Sequence, residues 1–344
     1  MASIHSIQYL RALAASAVVC FHVSEQFGGP FKVGAAGVDI FFVISGFIMW
    51  VTTARRPADP WRFISRRITR IVPLYWIVTL VTVVGILFRP QFFYDHLLSP
   101  LNFGGSLFFL PLLQRGELHP VVIQGWTLSY EMMFYLIFAL TLFLGERWRF
   151  GTLVGVLMAI VALHFVLPEG HARAFTSPIV LEFAAGVVVG HLWMKDVRLS
   201  LAPALVLLGA GVLLLAVVPL LDADMPRVLG WGVPALLIVA GAVFAERARP
   251  FNPAVLFTFL GEASYSIYLW HTLVAIVVTG LTLRLGVPQA LKPAVIVVFS
   301  LVFSAMLYLV VEKPLIRLLH PSRSKGPATG QAAWAPARAV DSQI

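Results

Sequence analysis

The chain has 344 residues, of which 59% are hydrophobic and 12% charged, with a mean hydropathy of +0.89 and a formal net charge of +9. That balance excludes an ordinary soluble domain and points to an all-α polytopic membrane protein, a bundle of about ten transmembrane helices at roughly 20 apolar residues per crossing. The basic surplus sits in short loops between apolar runs, which fits membrane topology and excludes nucleic acid as the partner, and the lone Cys20 excludes an internal disulfide.

Apolar runs predict spans at 8–26, 37–53, 71–88, 125–145, 150–167, 178–194, 201–221, 226–245, 256–279 and 291–312. The first run carries Arg11 and no small-residue cleavage site, so it reads as a retained span rather than a signal peptide. The run 201–221 is almost featureless and reads as scaffold facing lipid or neighbouring helices. With the N-terminus inside, seven basic residues (Lys32, Arg89, Arg115, Arg173, Arg227, Arg284 and Lys292) fall on the outer face. That leaves 18 of the 25 Lys and Arg on the inner face, and the positive-inside rule puts both termini in the cytoplasm. Between the third and fourth spans, 89–124 is long enough to suggest a lid or binding surface, with a re-entrant or interfacial piece around SLFFLPLL. Its aromatic residues Phe92, Phe93, Tyr94 and Phe103 suit many sugars. The bundle occupies 1–319; the Pro-, Ala-, Ser- and Gly-rich 320–344 is expected to be a disordered cytoplasmic tail.

Ionisable residues inside apolar spans are costly and commonly functional. Arg11 and His22 are eleven residues apart, close to three turns, and so share a face about 16 Å apart along the first helix. Asp39 opens the second helix on the outer side, where it is expected to reach His22 and hold its imidazole as a general base. It also suits a helix N-terminus as a plain dipole partner. Arg66, Arg67 and Arg70 enter the third span, with Arg67 and Arg70 on one side of the helix. Their forks fit phosphate groups, and equally fit a topology signal.

In the fourth span Glu131 lies about two turns deep, with Trp126, Tyr130 and Tyr135 expected to shape a pocket around it. In the ninth, Ser264, Tyr268 and His271 share a face, as a pocket wall or as hydrogen-bonding glue between helices. Glu312 is expected to pair with a basic residue at the inner face, and Ser45 reads as packing. The histidines form no metal-binding pattern.

In this order, RALAASAVVCFH, GVDIFFVISGFIM, FISRRITRIVPLYW, GWTLSYEMMFYL, GEASYSIYLWH and VEKP resemble the integral-membrane acyltransferase family 3, from about Ser6 to Arg317. The resemblance implies an enzyme of the bacterial inner membrane, an O-acyltransferase. It takes an acyl group, usually acetyl, from acyl-CoA at the cytoplasmic face and gives it to a hydroxyl of an exopolysaccharide, a lipid-linked precursor or another surface glycan. Carried over, the family's arginine and histidine fall on Arg11 and His22, its RxxR on Arg67 and Arg70, and the acid of its WxLxxE on Glu131.

The roles that follow are His22 as general base, Asp39 or Glu131 as its orienting acid, and Arg11, Arg66, Arg67 and Arg70 on the CoA phosphates. Direct transfer and an acyl-histidine intermediate both stay open. Acetyl-CoA is the expected donor, with no metal. The expected partners are the glycan, the bilayer and polysaccharide-assembly machinery. Some relatives continue into an extracytoplasmic hydrolase-like domain; here acceptor choice is expected to rest on the bundle and its loops. A transporter or flippase for a lipid-linked saccharide also uses intramembrane charges, but it should show interrupted helix pairs in two halves, and none is evident. A non-catalytic scaffold is the third class; neither it nor a transporter would release CoA.

Overall fold

The structure, a computed structural model, describes residues 4–54, 59–92, 98–221 and 225–319. The tail 320–344, together with Phe93 and Tyr94 of the long connection, lies outside the described residues. In hydrocarbon a backbone must satisfy its own polar groups, so long apolar runs become helices. In chain order these are α1 (His5–Gln26), α2 (Gly37–Ala54), α3 (Pro60–Phe88), the short α4 (Pro100–Leu107), α5 (Gly125–Thr141) and α6 (Glu146–His164). They continue as α7 (His171–Phe175), α8 (Val180–Met194), α9 (Leu201–Leu221), α10 (Val233–Ala248), α11 (Val255–Arg284), α12 (Lys292–Leu307) and α13 (Lys313–Leu319).

Local chemistry fixes the helix starts. Asp59 caps α3, its side chain accepting from Arg62 N, and Pro60 follows in the first turn, where a missing N–H costs nothing. The first turn of α1 has no cap of its own. Glu246 of α10 supplies one, accepting from the backbone of His5 and Ser6 and from the Ser6 hydroxyl.

Nine helical segments among the described residues are long and apolar enough to cross a membrane, and α5, with 17 residues, stands where a tenth span was expected. The packing register requires α5 to cross as well. Arg11 bonds Ser264, His22 packs on His271 and Gln26 bonds Thr279, so residue numbers on α1 and α11 rise together and the two helices run parallel. On α2 and α8, Val43 faces Gly186 and Trp50 faces Gly190 and His191, again in parallel. Helices of an alternating bundle run parallel only when an odd number of crossings lies between them, here seven and three with α5 included. Both pairs meet that condition only if α5 is counted.

The α2–α8 contact is as close as it is because Gly46 and Gly186 face each other's helix. A Cβ on either would run into the carbonyl of Phe183 or Val43. The featureless run forms α9, which packs on α10 through Gly211 and Gly241 and leaves Leu205, Val206, Val212 and Leu213 exposed, as a lipid-facing helix does.

The long connection differs from expectation. SLFFLPLL packs against the middle of α3, Phe109 stacking on Tyr75 at 5.2 Å and Trp76 donating to Leu107 O, and runs on into a two-stranded antiparallel hairpin that was not expected, β1 (Leu112–Gln114) and β2 (Glu117–His119), with Leu112 opposite His119. Arg115 and Gly116 form its turn with φ of 50° and 82°, the left-handed pair a two-residue hairpin needs. Buried Asn102 fastens the hairpin to α4, accepting from Leu112 N and donating to His119 O. These bonds satisfy the backbone of a folded segment that packs on Tyr75 and Trp76, midway along α3, and on the start of α5 at Gly125.

Candidate active site

Residues singled out on four separate spans converge on one cavity. Arg11 of α1, Arg67 and Arg70 of α3, Glu131 and Tyr135 of α5, and Ser264 and Tyr268 of α11 line a space of about 130 Å³, with Ser45 of α2. Arg11 donates from Nε and Nη2 to the Ser264 hydroxyl at 3.1 and 2.9 Å. Tyr268 and Thr127 are joined hydroxyl to hydroxyl at 2.8 Å, and Thr127 donates on to the carbonyl of Gln124. Glu131 accepts from Tyr135, and from Ser45 at 3.4 Å. Arg67 lies over the ring of Tyr135, 5.8 Å from its centroid, and its Nε is buried without a partner.

Three guanidinium groups therefore border one small cavity. Among the described residues none of the three has a carboxylate within ion-pair distance, although Glu131 and Glu312 act on Arg11 from farther away. Apolar residues of α2 and α3, among them Ile48, Met49 and Ile71, complete the wall. Cations held this way favour an anionic ligand with planar oxygen groups.

Ser45, read as packing, lines this cavity because it stands on the face of α2 turned to α5. Glu312 is buried and accepts from Ser266 at 2.7 Å instead of forming the expected ion pair. Arg66, one residue before Arg67, is rotated about 100° around α3 and lies exposed, outside the cavity.

His22 sits above this cavity on the same line. Its ring packs at 5.3 Å on that of His271, a turn beyond Tyr268 on α11. His271 is buried. Its Nδ1 faces the carbonyls of Tyr268 and Ile267 at 2.8 and 3.1 Å, which assigns the proton to Nδ1, and Nε2 is left without a partner. The acid beside His22 is Glu25, at 3.7 Å from Nδ1.

Asp39 is not the partner of His22. Fully buried, it takes two bonds from Arg227, 3.1 Å from Nε and 2.7 Å from Nη2, and Glu182 of α8 lies beside the pair. Helical rotation explains the miss. Gly37 is the residue of α2 that packs on Ala14 and Val18 of α1, and Asp39, about 200° further round, points away toward α8 and α10. Sequence reasoning passed over Glu182 and gave Arg227 only a topological role, although an acid within an apolar span was a sufficient signal for Glu182.

Trp126 and Tyr130 were expected around Glu131 with Tyr135. Only Tyr135, four residues on, shares the face of Glu131. Trp126 and Tyr130 lie on another side of α5 and line a second cavity, of about 520 Å³, beneath the hairpin. Among the described residues no three His, Cys, Asp or Glu side chains gather as metal ligands would.

Known proteins resemble the chain along most of its length. A family described as an acyltransferase domain matches residues 4–311. The exopolysaccharide production protein ExoZ of Rhizobium meliloti (strain 1021) is 39% identical over 319 residues, covering 91% of this chain and 99% of ExoZ. BcsY of Komagataeibacter xylinus, named as a membrane-bound transacylase, is 30% identical, over 89% of this chain and 81% of its own. The O-acetyltransferase OatA of Staphylococcus aureus (strain NCTC 8325 / PS 47) is 22% identical over 76% of this chain and 49% of OatA. No solved structure matches.

Proposed function

The chain belongs to this acyltransferase family, and on that premise we propose that it moves an acetyl or other short acyl group from acyl-CoA to a hydroxyl of a surface glycan. The acceptor is an exopolysaccharide or its lipid-linked precursor, and the enzyme lies in a bacterial inner membrane with both termini in the cytoplasm. The observation that carries this reading is the cavity bordered by Arg11, Arg67 and Arg70, three cations that have no carboxylate within ion-pair distance among the described residues. A CoA phosphate is an anion that such forks grip. The names of ExoZ and OatA support the acceptor class and the ester product.

In this reading the arginines hold the donor at the inner face. Glu131 fixes Tyr135 and through it Arg67, and so acts as a positioning residue. The acyl arm rises about 16 Å alongside α1 and α11, past Ser264 and Tyr268, toward His22. His22 takes the proton of the sugar hydroxyl as that oxygen attacks the thioester carbonyl. The ester C–O bond forms, the C–S bond breaks, and the proton passes to the CoA sulfur. Positioning of His22 falls to Glu25 and His271 instead of Asp39.

The test uses the full chain in lipid nanodiscs with acetyl-CoA and polysaccharide isolated from cells lacking the gene. Free thiol and polymer-bound acetate should appear together and only with polymer present. Polymer left unmodified, with no thiol released, would overturn the reading in favour of a transporter or scaffold.

A further inference from the structure

The second cavity, beneath the β1–β2 hairpin and the connection from α6 to α8, has no part in the chemistry above. We propose that it is a binding subsite for one or two uncharged pyranose rings of the acceptor, with Trp126 as the platform on which a ring stacks. The proposal rests on the glycan-acceptor reading and adds where the sugar is held and by what.

Three observations carry it. The first is size: about 520 Å³ lies within the range of small-molecule sites and is four times the arginine-lined cavity. The second is the chemistry of the wall. A pyranose presents an apolar C–H face and a rim of hydroxyls, so it needs an aromatic surface flanked by both donors and acceptors. Trp126 and Tyr130, one turn apart on α5, supply the aromatic surface, while Glu117, His119, Arg173 and Arg227 supply the rim. Both signs of charge are present, and Arg227 is already neutralised by Asp39, so no surplus charge selects for an anion. A phosphate would meet Glu117, and a lipid chain would leave the rim unpaired.

The third observation is rigidity. Arg227, held by two bonds to Asp39, lies over the Trp126 ring at 5.6 Å. Trp126 meets Tyr130 edge-on at 6.1 Å, and the Tyr130 hydroxyl donates to Ala174 O at 2.6 Å. The platform is thus set before any ligand arrives, which lowers the ordering cost of binding. The wall is also shared with the first cavity. Thr127, Leu128 and Glu131 face the arginines from the same turns of α5 that put Trp126 and Tyr130 on the other side. A saccharide seated here is one helix away from the donor.

Equilibrium binding, measured without any acyl donor, tests the subsite. The probes are radiolabelled oligosaccharides released from the polysaccharide of cells lacking the gene and, as a separate arm, the lipid-linked oligosaccharides extracted from the same cells. Trp126→Ala should weaken binding about tenfold or more, Trp126→Phe should restore most of it, and Arg173→Gln should weaken it less. Loss in both arms assigns the subsite to the sugar itself; loss confined to the lipid-linked arm overturns an assignment to sugar rings. Wild-type binding by Trp126→Ala, or a wild-type chain that binds neither probe, also overturns it. A chain that binds sugar through Trp126 but releases no CoA upholds the subsite and overturns acyl transfer.

Discussion

Replacing Asp39 separates two accounts of one residue: partner of the catalytic histidine, or half of a structural ion pair. The carboxylate is fully buried and 2.7 Å from Arg227 Nη2, whose side chain is 37% exposed. At that distance the gross attraction is about 6 kcal/mol with an effective dielectric of 20. Desolvation offsets much of it, and the exposed edge of the guanidinium is screened. Removing one partner of a buried pair strands the other charge, so Asp39→Asn should cost roughly 3 kcal/mol, and Arg227→Gln a similar amount. The double variant should cost about 2 kcal/mol less than the sum, because neither charge is then left alone. Unfolding by SDS titration in mixed micelles measures all three, and acyl transfer is assayed where each variant remains folded. If Asp39→Asn unfolds like the wild type yet abolishes transfer, and Arg227→Gln alters neither stability nor transfer, the ion-pair account is wrong and Asp39 serves His22.

Further outcomes follow from the same geometry. His22→Ala should lower transfer by roughly 10²- to 10⁴-fold while leaving donor affinity and unfolding unchanged; near-normal acetylation at normal protein levels would sink its role as base. Arg67→Ala and Arg70→Ala should each raise the KM for acetyl-CoA about tenfold, or ~1.4 kcal/mol, with the KM for polysaccharide unaltered. Gly186→Ala pushes a methyl into the carbonyl of Val43 and should destabilise the bundle by about 1–3 kcal/mol. Gly155→Ala, on an open face of α6, should be neutral or slightly stabilising in the same unfolding assay, and equal effects would remove the steric argument.

The helices were legible because a membrane span is a local property: some 20 apolar residues decide it without reference to the rest of the chain. The shared face of Arg11 and His22 was legible for the same reason, since helical rotation is local too. What faces them was not. Ser264 and His271 lie some 250 residues further along the chain, and Arg227 is 188 residues from Asp39. Proximity along the chain suggested His22 for Asp39, whereas rotation about α2 sends it elsewhere. The hairpin was missed because an apolar SLFFLPLL looks like membrane sequence until Asn102 is seen holding its two strands.

Intramembrane charge alone does not separate structural from catalytic residues in this bundle; partnership does. Arg227 is satisfied by Asp39, and Arg247 by Asp196 and the carbonyl of Trp193, each an ion pair that ties helices or their connections together. Arg149, in the first turn of α6, is buried and has no ion pair among the described residues, but it lines neither cavity. Arg11, Arg67 and Arg70 border a common space without a contact carboxylate among the described residues, with Arg11 bonded to a hydroxyl and Arg67 laid against a ring. A hydroxyl and a ring face leave a guanidinium without a carboxylate in contact, and Glu131 and Glu312 act only from farther away, so this grouping stays costly until an anion enters. Donor binding should accordingly stabilise the bundle against unfolding, and the Arg67→Ala and Arg70→Ala variants should show less of that gain than the wild type. If both gained as much as the wild type at saturating acetyl-CoA, the phosphate grip would have to lie elsewhere.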